Sequence, residues 1–137
     1  GKHSYGTATN RFGGGRGHQG QDVFAECGTP VVAALPGEVQ IAKYHSRAGN
    51  YVVIHADDGT SQAYMHLRTP ALVSRGDRVV AGQQLGEVGD TGRASGCHLH
   101  FEFWTAPGWY EGGSPIDPLS MLRAWDAGVP APAASAT

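Results

Sequence analysis

His98-Leu99-His100-Phe101-Glu102-Phe103-Trp104 is the stretch from which the fold is read. A β-strand sends successive side chains to opposite faces. His98, His100, Glu102 and Trp104 therefore share one face, and Leu99, Phe101 and Phe103 share the other. The second face is large and apolar and belongs on a core. The first carries two imidazoles on Cα atoms about 6.5 to 7 Å apart. Two such groups on a core face would cost desolvation, so this face belongs to a wet, polar cleft.

Upstream, the same period recurs. Pro30 to Ala34 reads as a short strand, ended by the turn pair Pro36-Gly37. Glu38 to Tyr44 alternates, with Val39 and Ile41 expected on one face and Gln40 and Ala42 on the other. Asn50 to Ala56 holds the β-prone run Tyr51-Val52-Val53-Ile54. Asp57-Asp58-Gly59-Thr60 is a hairpin signal, and Thr60 to Leu67 returns as a strand carrying Tyr64 and His66, expected on one face. Leu72 to Gly89 reads as very short strands separated by glycine turns, which suits a sheet that curls around corners. One helix is expected, with Asp117 as cap, Pro118 in its first turn and an apolar stripe over Leu119 to Trp125. The expected fold is mainly β: a curled antiparallel sheet with glycine-rich loops and a short C-terminal helix.

The chain has 137 residues, enough for one domain with a real core. The expected division is an N-terminal extension over 1–12, the domain over 13–128 and a flexible Pro/Ala-rich tail over 129–137. That tail suggests further modules in a longer protein. The formal charge is −2 with no basic block, which argues against nucleic acid as partner. No apolar run approaches the roughly 20 residues a transmembrane helix needs. No signal peptide is visible at Gly1, and earlier processing would leave the same start. Glycine numbers 21, dispersed between strands as turns. The two cysteines, Cys27 and Cys97, lie outside any Cys-x-x-Cys pattern. They are either free buried thiols or a disulfide.

Three histidine-bearing segments supply the chemistry: His18 to Asp22, Tyr64 to Leu67 and His98 to His100. One carboxylate with two imidazoles suits Zn²⁺, which accepts nitrogen and oxygen donors, better than Mg²⁺ or Ca²⁺. Two imidazoles remain to move protons. Gly17 and Gly20 argue against a helix between His18 and Asp22, so a loop must bring them together. His3, His45 and His55 read as ordinary surface or half-buried residues.

The ordered set His-x-x-x-Asp, Tyr-x-His-Leu and His-x-His, with the glycine-punctuated Val73 to Gly86 run, resembles peptidase family M23, the lysostaphin-like or LytM-type zinc endopeptidases. The resemblance covers Gly13 to Leu119. It implies the lysostaphin/duplicated hybrid motif fold and one Zn²⁺ per chain held by His18, Asp22 and His100. It implies catalytic roles for His66 and His98 in hydrolysing peptide cross-links of bacterial peptidoglycan. It also implies an extracytoplasmic bacterial location, secreted or in the cell envelope. Peptidoglycan peptides would be the partner, and the chain is expected to act as a monomer. The expected mechanism is attack by a zinc-bound water, with His66 or His98 as general base and the other stabilising the oxyanion. The loops Phe12 to Gly17 and Ser46 to Asn50 would wall the groove. Trp104, Trp109 and Tyr110 would edge it or pack its loop. Tyr64 would pack, or aim its hydroxyl at the substrate. Glu102 would support a ligand histidine or be solvated.

Two rival functions stand beside this one. The first is a catalytically weak or inactive wall-binding or regulatory module that activates another cell-wall hydrolase. The second is a lipoyl- or biotinyl-type carrier, suggested by the Val73 to Gln83 run. That function needs a lysine at a hairpin tip, and Lys2 and Lys43 are not in one.

Overall fold

In the computed structural model, residues 3–4 and 20–126 are described. Its strands are β1 (His3–Ser4), β2 (Gln21–Ala25), β3 (Pro30–Val32), β4 (Gly37–His45), β5 (Gly49–Ala56), β6 (Ser61–Leu67), β7 (Arg78–Val79), β8 (Gln84–Glu87), β9 (Leu99–Trp104) and β10 (Pro115–Ile116), followed by α1 (Leu119–Asp126). The His98 to Trp104 run forms β9 as its alternation demands. It lies inside an eight-stranded antiparallel sheet of order β1-β2-β9-β6-β5-β4-β7, with β10 also pairing β9. The Asp57 to Thr60 turn closes the β5–β6 hairpin. There Asp58 Oδ1 accepts from the Thr60 amide at 3.0 Å and Gly59 takes φ of +87°.

One face of this sheet carries the main core: Val52, Ile54, Tyr64, Leu67, Phe101 and Phe103. Val31 of β3, Leu85 of β8 and Met121 of α1 close over it. Asp117 caps the helix as expected, with Oδ1 accepting from the Leu119 amide at 2.9 Å. A smaller cluster, Tyr51, Val53, Ala63 and Met65, packs on the opposite face with Ile41 and Trp109. This second face is the one that carries the polar side of β9, because Met65 pairs with His100 and Ala63 with Glu102 across β6 and β9.

The expected curling is corrected. The described residues form two open antiparallel sheets, the large one and a two-stranded β3–β8 pair. The chain turns corners by leaving one sheet for the other. Val79 pairs with Gly37 at the edge of the large sheet, and five residues later Gln84 pairs with Val32 in the small one. Gly82, at φ of +85°, turns the chain between them. Only two short strands form between Leu72 and Gly89, because most of that run spans this crossing.

Two bulges break the alternation read from sequence. On β4, Val39 pairs with Ile54 but Ile41 pairs with Val53, so Gln40 is the extra residue. Val39 consequently joins the main core while Ile41 packs on the opposite face. The expectation that both share a face is corrected. On β6, Asn50 pairs with Leu67 and Val52 with Tyr64, so three steps on β6 answer two on β5. His66 occupies this bulge at φ of +65°. Tyr64 and Leu67 both face the core, and Met65 and His66 both line the opposite groove. Tyr64 and His66 therefore do not share a face.

Among the described residues no helix is long and apolar enough to cross a membrane. The glycine-rich loop ahead of His18, His18 itself and the tail from 129 onward lie outside the described residues.

Candidate functional site

The open face of the large sheet bears a groove of about 720 Å³, and its polar floor comes from three strands. β2 contributes Asp22, whose register partner on β9 is His100. Pairing thus sets carboxylate beside imidazole without help from a loop. Sequence reasoning placed Asp22 in a loop and missed β2; the run Gln21-Asp22-Val23 opens on two polar residues, and both are buried in the sheet beside β9.

His100 is 8% exposed and is held from both sides. Its Nδ1 meets Asp22 Oδ1 at 3.0 Å and its Nε2 meets Glu102 Oε2 at 2.8 Å. Glu102, two residues along the same face, is fixed in turn by the Trp104 indole N–H, which donates to Oε1 at 2.9 Å. Burial pulls the His100 imidazole towards neutrality, but the hydrogen bonds and charges of the two carboxylates win and raise it to about 9. At neutral pH this ring is an imidazolium that donates from both nitrogens. Glu102 is accordingly a partner of His100 rather than a solvated charge.

His66 has the opposite character. Burial drives its pKa down to about 4, against the pull of its bond to Thr91. Its Nδ1–H donates to the Thr91 carbonyl at 2.8 Å, which leaves Nε2 bare as an acceptor. The bulge that turns His66 into the groove costs about 1 kcal/mol, the usual penalty for a left-handed non-glycine residue. His98 lies beside His66. Its ring centroid lies 4.8 Å from that of His66 and 5.5 Å from Phe24, and its Nε2 is 3.6 Å from Asp22 Oδ1. Nδ1 of His98 lies 3.1 Å from the Gly96 carbonyl.

Four of the five residues named from sequence therefore meet in one groove: Asp22, His66, His98 and His100. The fifth, His18, is outside the described residues. Among the described residues, no group of three or more His, Cys, Asp or Glu side chains could hold a metal ion. The expected Zn²⁺ is corrected on this ground, and with it the expectation of a zinc-dependent endopeptidase.

Tyr64 belongs to the core and not to the site. It is 2% exposed, accepts from the Ala34 amide at 2.8 Å and donates to Gln62 Oε1. Burial pushes its hydroxyl above the usual tyrosine range. Trp109 and Tyr110 line the groove while packing on each other and on Trp104, with centroids 4.6 to 5.1 Å apart. Arg47 and Ala48, from the expected Ser46 to Asn50 wall, also line it.

Cys27 and Cys97 form a disulfide with their Cα atoms 5.3 Å apart. It joins the chain just after β2 to the residue before His98. The question left open by the sequence is settled in favour of the bond.

The profile of Peptidase family M23 matches residues 16–118. A peptidoglycan DD-endopeptidase of Vibrio cholerae, ShyC, is 43% identical over 88 residues, 64% of this chain and 20% of its own length. The cell division protein DipM of Caulobacter vibrioides is 36% identical over 111 residues, 80% of this chain and 18% of its own. The crystal structure of the catalytic domain of the peptidase lysostaphin from Staphylococcus simulans superposes with a TM-score of 0.73 at 34% identity, over 89% of this chain and 92% of that one. The chain spans about a fifth of the length of the curated relatives it matches.

Proposed function

The chain belongs to peptidase family M23, and from that premise we propose that it is a peptidoglycan-binding or regulatory module that takes wall peptides into its groove and acts on another cell-wall hydrolase. The observation that carries this reading is the Asp22–His100–Glu102 chain. Both carboxylates of the groove hydrogen-bond the His100 ring, so the floor presents a braced row of polar groups to a bound peptide. His66 supplies a neutral acceptor beside it, at Nε2. An extended peptide offers alternating N–H and C=O groups that such a floor can satisfy. The resemblance assigns His18, Asp22, His66, His98 and His100 to the site, and these five are the proposed peptide contacts.

Relatives differ in what their names assign them. One is named a peptidoglycan endopeptidase and another a cell division protein, which supports wall work without fixing an activity for this chain. The disulfide supports an extracytoplasmic bacterial location, where oxidising conditions preserve such bonds. We take the domain to be one module of a longer, monomeric protein.

Isothermal titration with a soluble wall peptide tests this reading. Saturable binding is expected, weakened about fivefold by His66→Ala and by His98→Ala, since each removes a hydrogen bond worth about 1 kcal/mol. Absence of binding, or variants that bind as well as the parent, would overturn it.

A further inference from the structure

We infer that Arg47 and Arg93 form a carboxylate-binding wall of the groove, so that the peptide it takes carries a free carboxylate; this rests on the peptide-binding reading above. The two arginines come from different loops that behave as one unit. Arg47 lies in the turn between β4 and β5, and Arg93 in the loop that follows Gly89. The Arg93 amide donates to the Arg47 carbonyl at 2.8 Å. Thr91 ties the second loop to both neighbouring strands, accepting from the Asn50 amide at 3.1 Å and donating to the Leu67 carbonyl at 2.6 Å. Gly92 sits at φ of +75°, and a Cβ there would run into the Arg47 carbonyl and the backbone of Gly49. The loops are thus packed backbone to backbone, which only glycine permits.

Both side chains line the same groove as His66 and His100, and both residues are exposed. Neither has a carboxylate partner among the described residues, where arginine ion pairs join Arg68 to Glu87 and Arg78 to Asp57. The acids that line the groove, Asp22 and Glu102, are bonded to His100. Asp90 belongs to the Arg93 loop but does not line the groove. His45 adds a third donor to this wall. Its Nδ1 accepts from the Arg47 amide at 3.1 Å, leaving Nε2 to carry the proton of the neutral ring.

A guanidinium is a planar fork that matches a carboxylate with two parallel hydrogen bonds. Two of them on one braced wall, without an internal counter-ion, form a receptor for that group. A neutral glycine peptide offers this wall no charged partner. A wall peptide with a free terminal or side-chain carboxylate does.

Four N-acetylated wall peptides that end in D-Ala-D-Ala and contain a γ-linked glutamate separate the sources of that carboxylate. They carry it at the C-terminus only, on the glutamate only, at both positions or, fully amidated, at neither. Fluorescence polarisation at low salt is expected to give about fivefold tighter binding for the preferred acid than for the fully amidated peptide, the scale of a well-formed exposed ion pair. The advantage should shrink in 0.5 M salt. Arg47→Gln/Arg93→Gln should reduce it to under twofold. The single variants should fall between, with thermal midpoints at the parent value. Equal binding of all four peptides by the parent, or an advantage that survives in the double variant, would overturn the inference. Binding of none of them would overturn the peptide-binding reading itself, and the inference with it.

Discussion

Cys27→Ser/Cys97→Ser opens a loop of 70 residues that the disulfide closes. On the chain-entropy account, releasing a loop of that length returns about 15 cal/mol/K to the unfolded ensemble, or about 4 kcal/mol at 25 °C. A 137-residue domain unfolds with an entropy near 290 cal/mol/K at its midpoint, taking about 2.1 cal/mol/K per residue. The double variant should therefore melt about 15 °C below the parent. Circular dichroism melts of both proteins without reductant measure this. The bond lies outside the strand pairing that sets Asp22 opposite His100, so peptide affinity at 10 °C should stay within twofold of the parent. A midpoint shift under about 4 °C would refute the entropic argument. A lost affinity at full folding would show that the bond shapes the site rather than the unfolded chain.

Glu102→Gln removes one of the two charges that hold His100 protonated, so the imidazole should titrate well below about 9 in an NMR pH series, and an unchanged value would assign the shift to Asp22 alone. The pH profile of stability should peak near pH 6.5, measured by urea unfolding across pH. His100, raised to about 9 when folded, adds stability that is complete below about 6.5 and lost as pH rises through 9. His66, lowered to about 4, is a neutral buried ring, so stability falls as pH drops from about 6.5 towards 4 while the unfolded chain takes up the proton. Each limb is worth up to about 3 kcal/mol, and a flat profile between pH 5 and 9 would contradict both. Gly89→Ala should destabilise by more than about 2 kcal/mol in the same urea assay. Its Cβ would lie 2.5 Å from the Arg68 amide nitrogen and 2.9 Å from the His66 carbonyl, both backbone atoms that have no room to yield.

The strand His98 to Trp104 was legible because its period-two pattern separates three aromatic or aliphatic residues from four polar or amphipathic ones. The capped helix and the Asp57 to Thr60 hairpin were legible for similar local reasons. The bulges at Gln40 and His66 were not. A bulge is a mismatch between two strands, and neither strand records it alone. This hid the separation of Tyr64 from His66 and of Val39 from Ile41. Strand β2 was hidden because it opens on the polar pair Gln21 and Asp22, and its place in the sheet comes from pairing with β9. The clustering of Asp22, His66, His98 and His100 followed from motif order. The pinning of His100 by Glu102 was visible only as two residues on one strand face, and its consequence for protonation depends on burial. The pairing of Cys27 with Cys97 depends on a tertiary distance across 70 residues and had to wait for the structure.

The central proposal is that this M23 domain serves as a wall-peptide-binding or regulatory module. Purified peptidoglycan incubated with the domain, with and without added Zn²⁺, tests it directly when the pellet is assayed for bound protein and the supernatant for new amino termini by mass spectrometry. Saturable cosedimentation with no new amino termini in either condition is the predicted result. New amino termini in either condition, abolished by His66→Ala or His98→Ala, would contradict it.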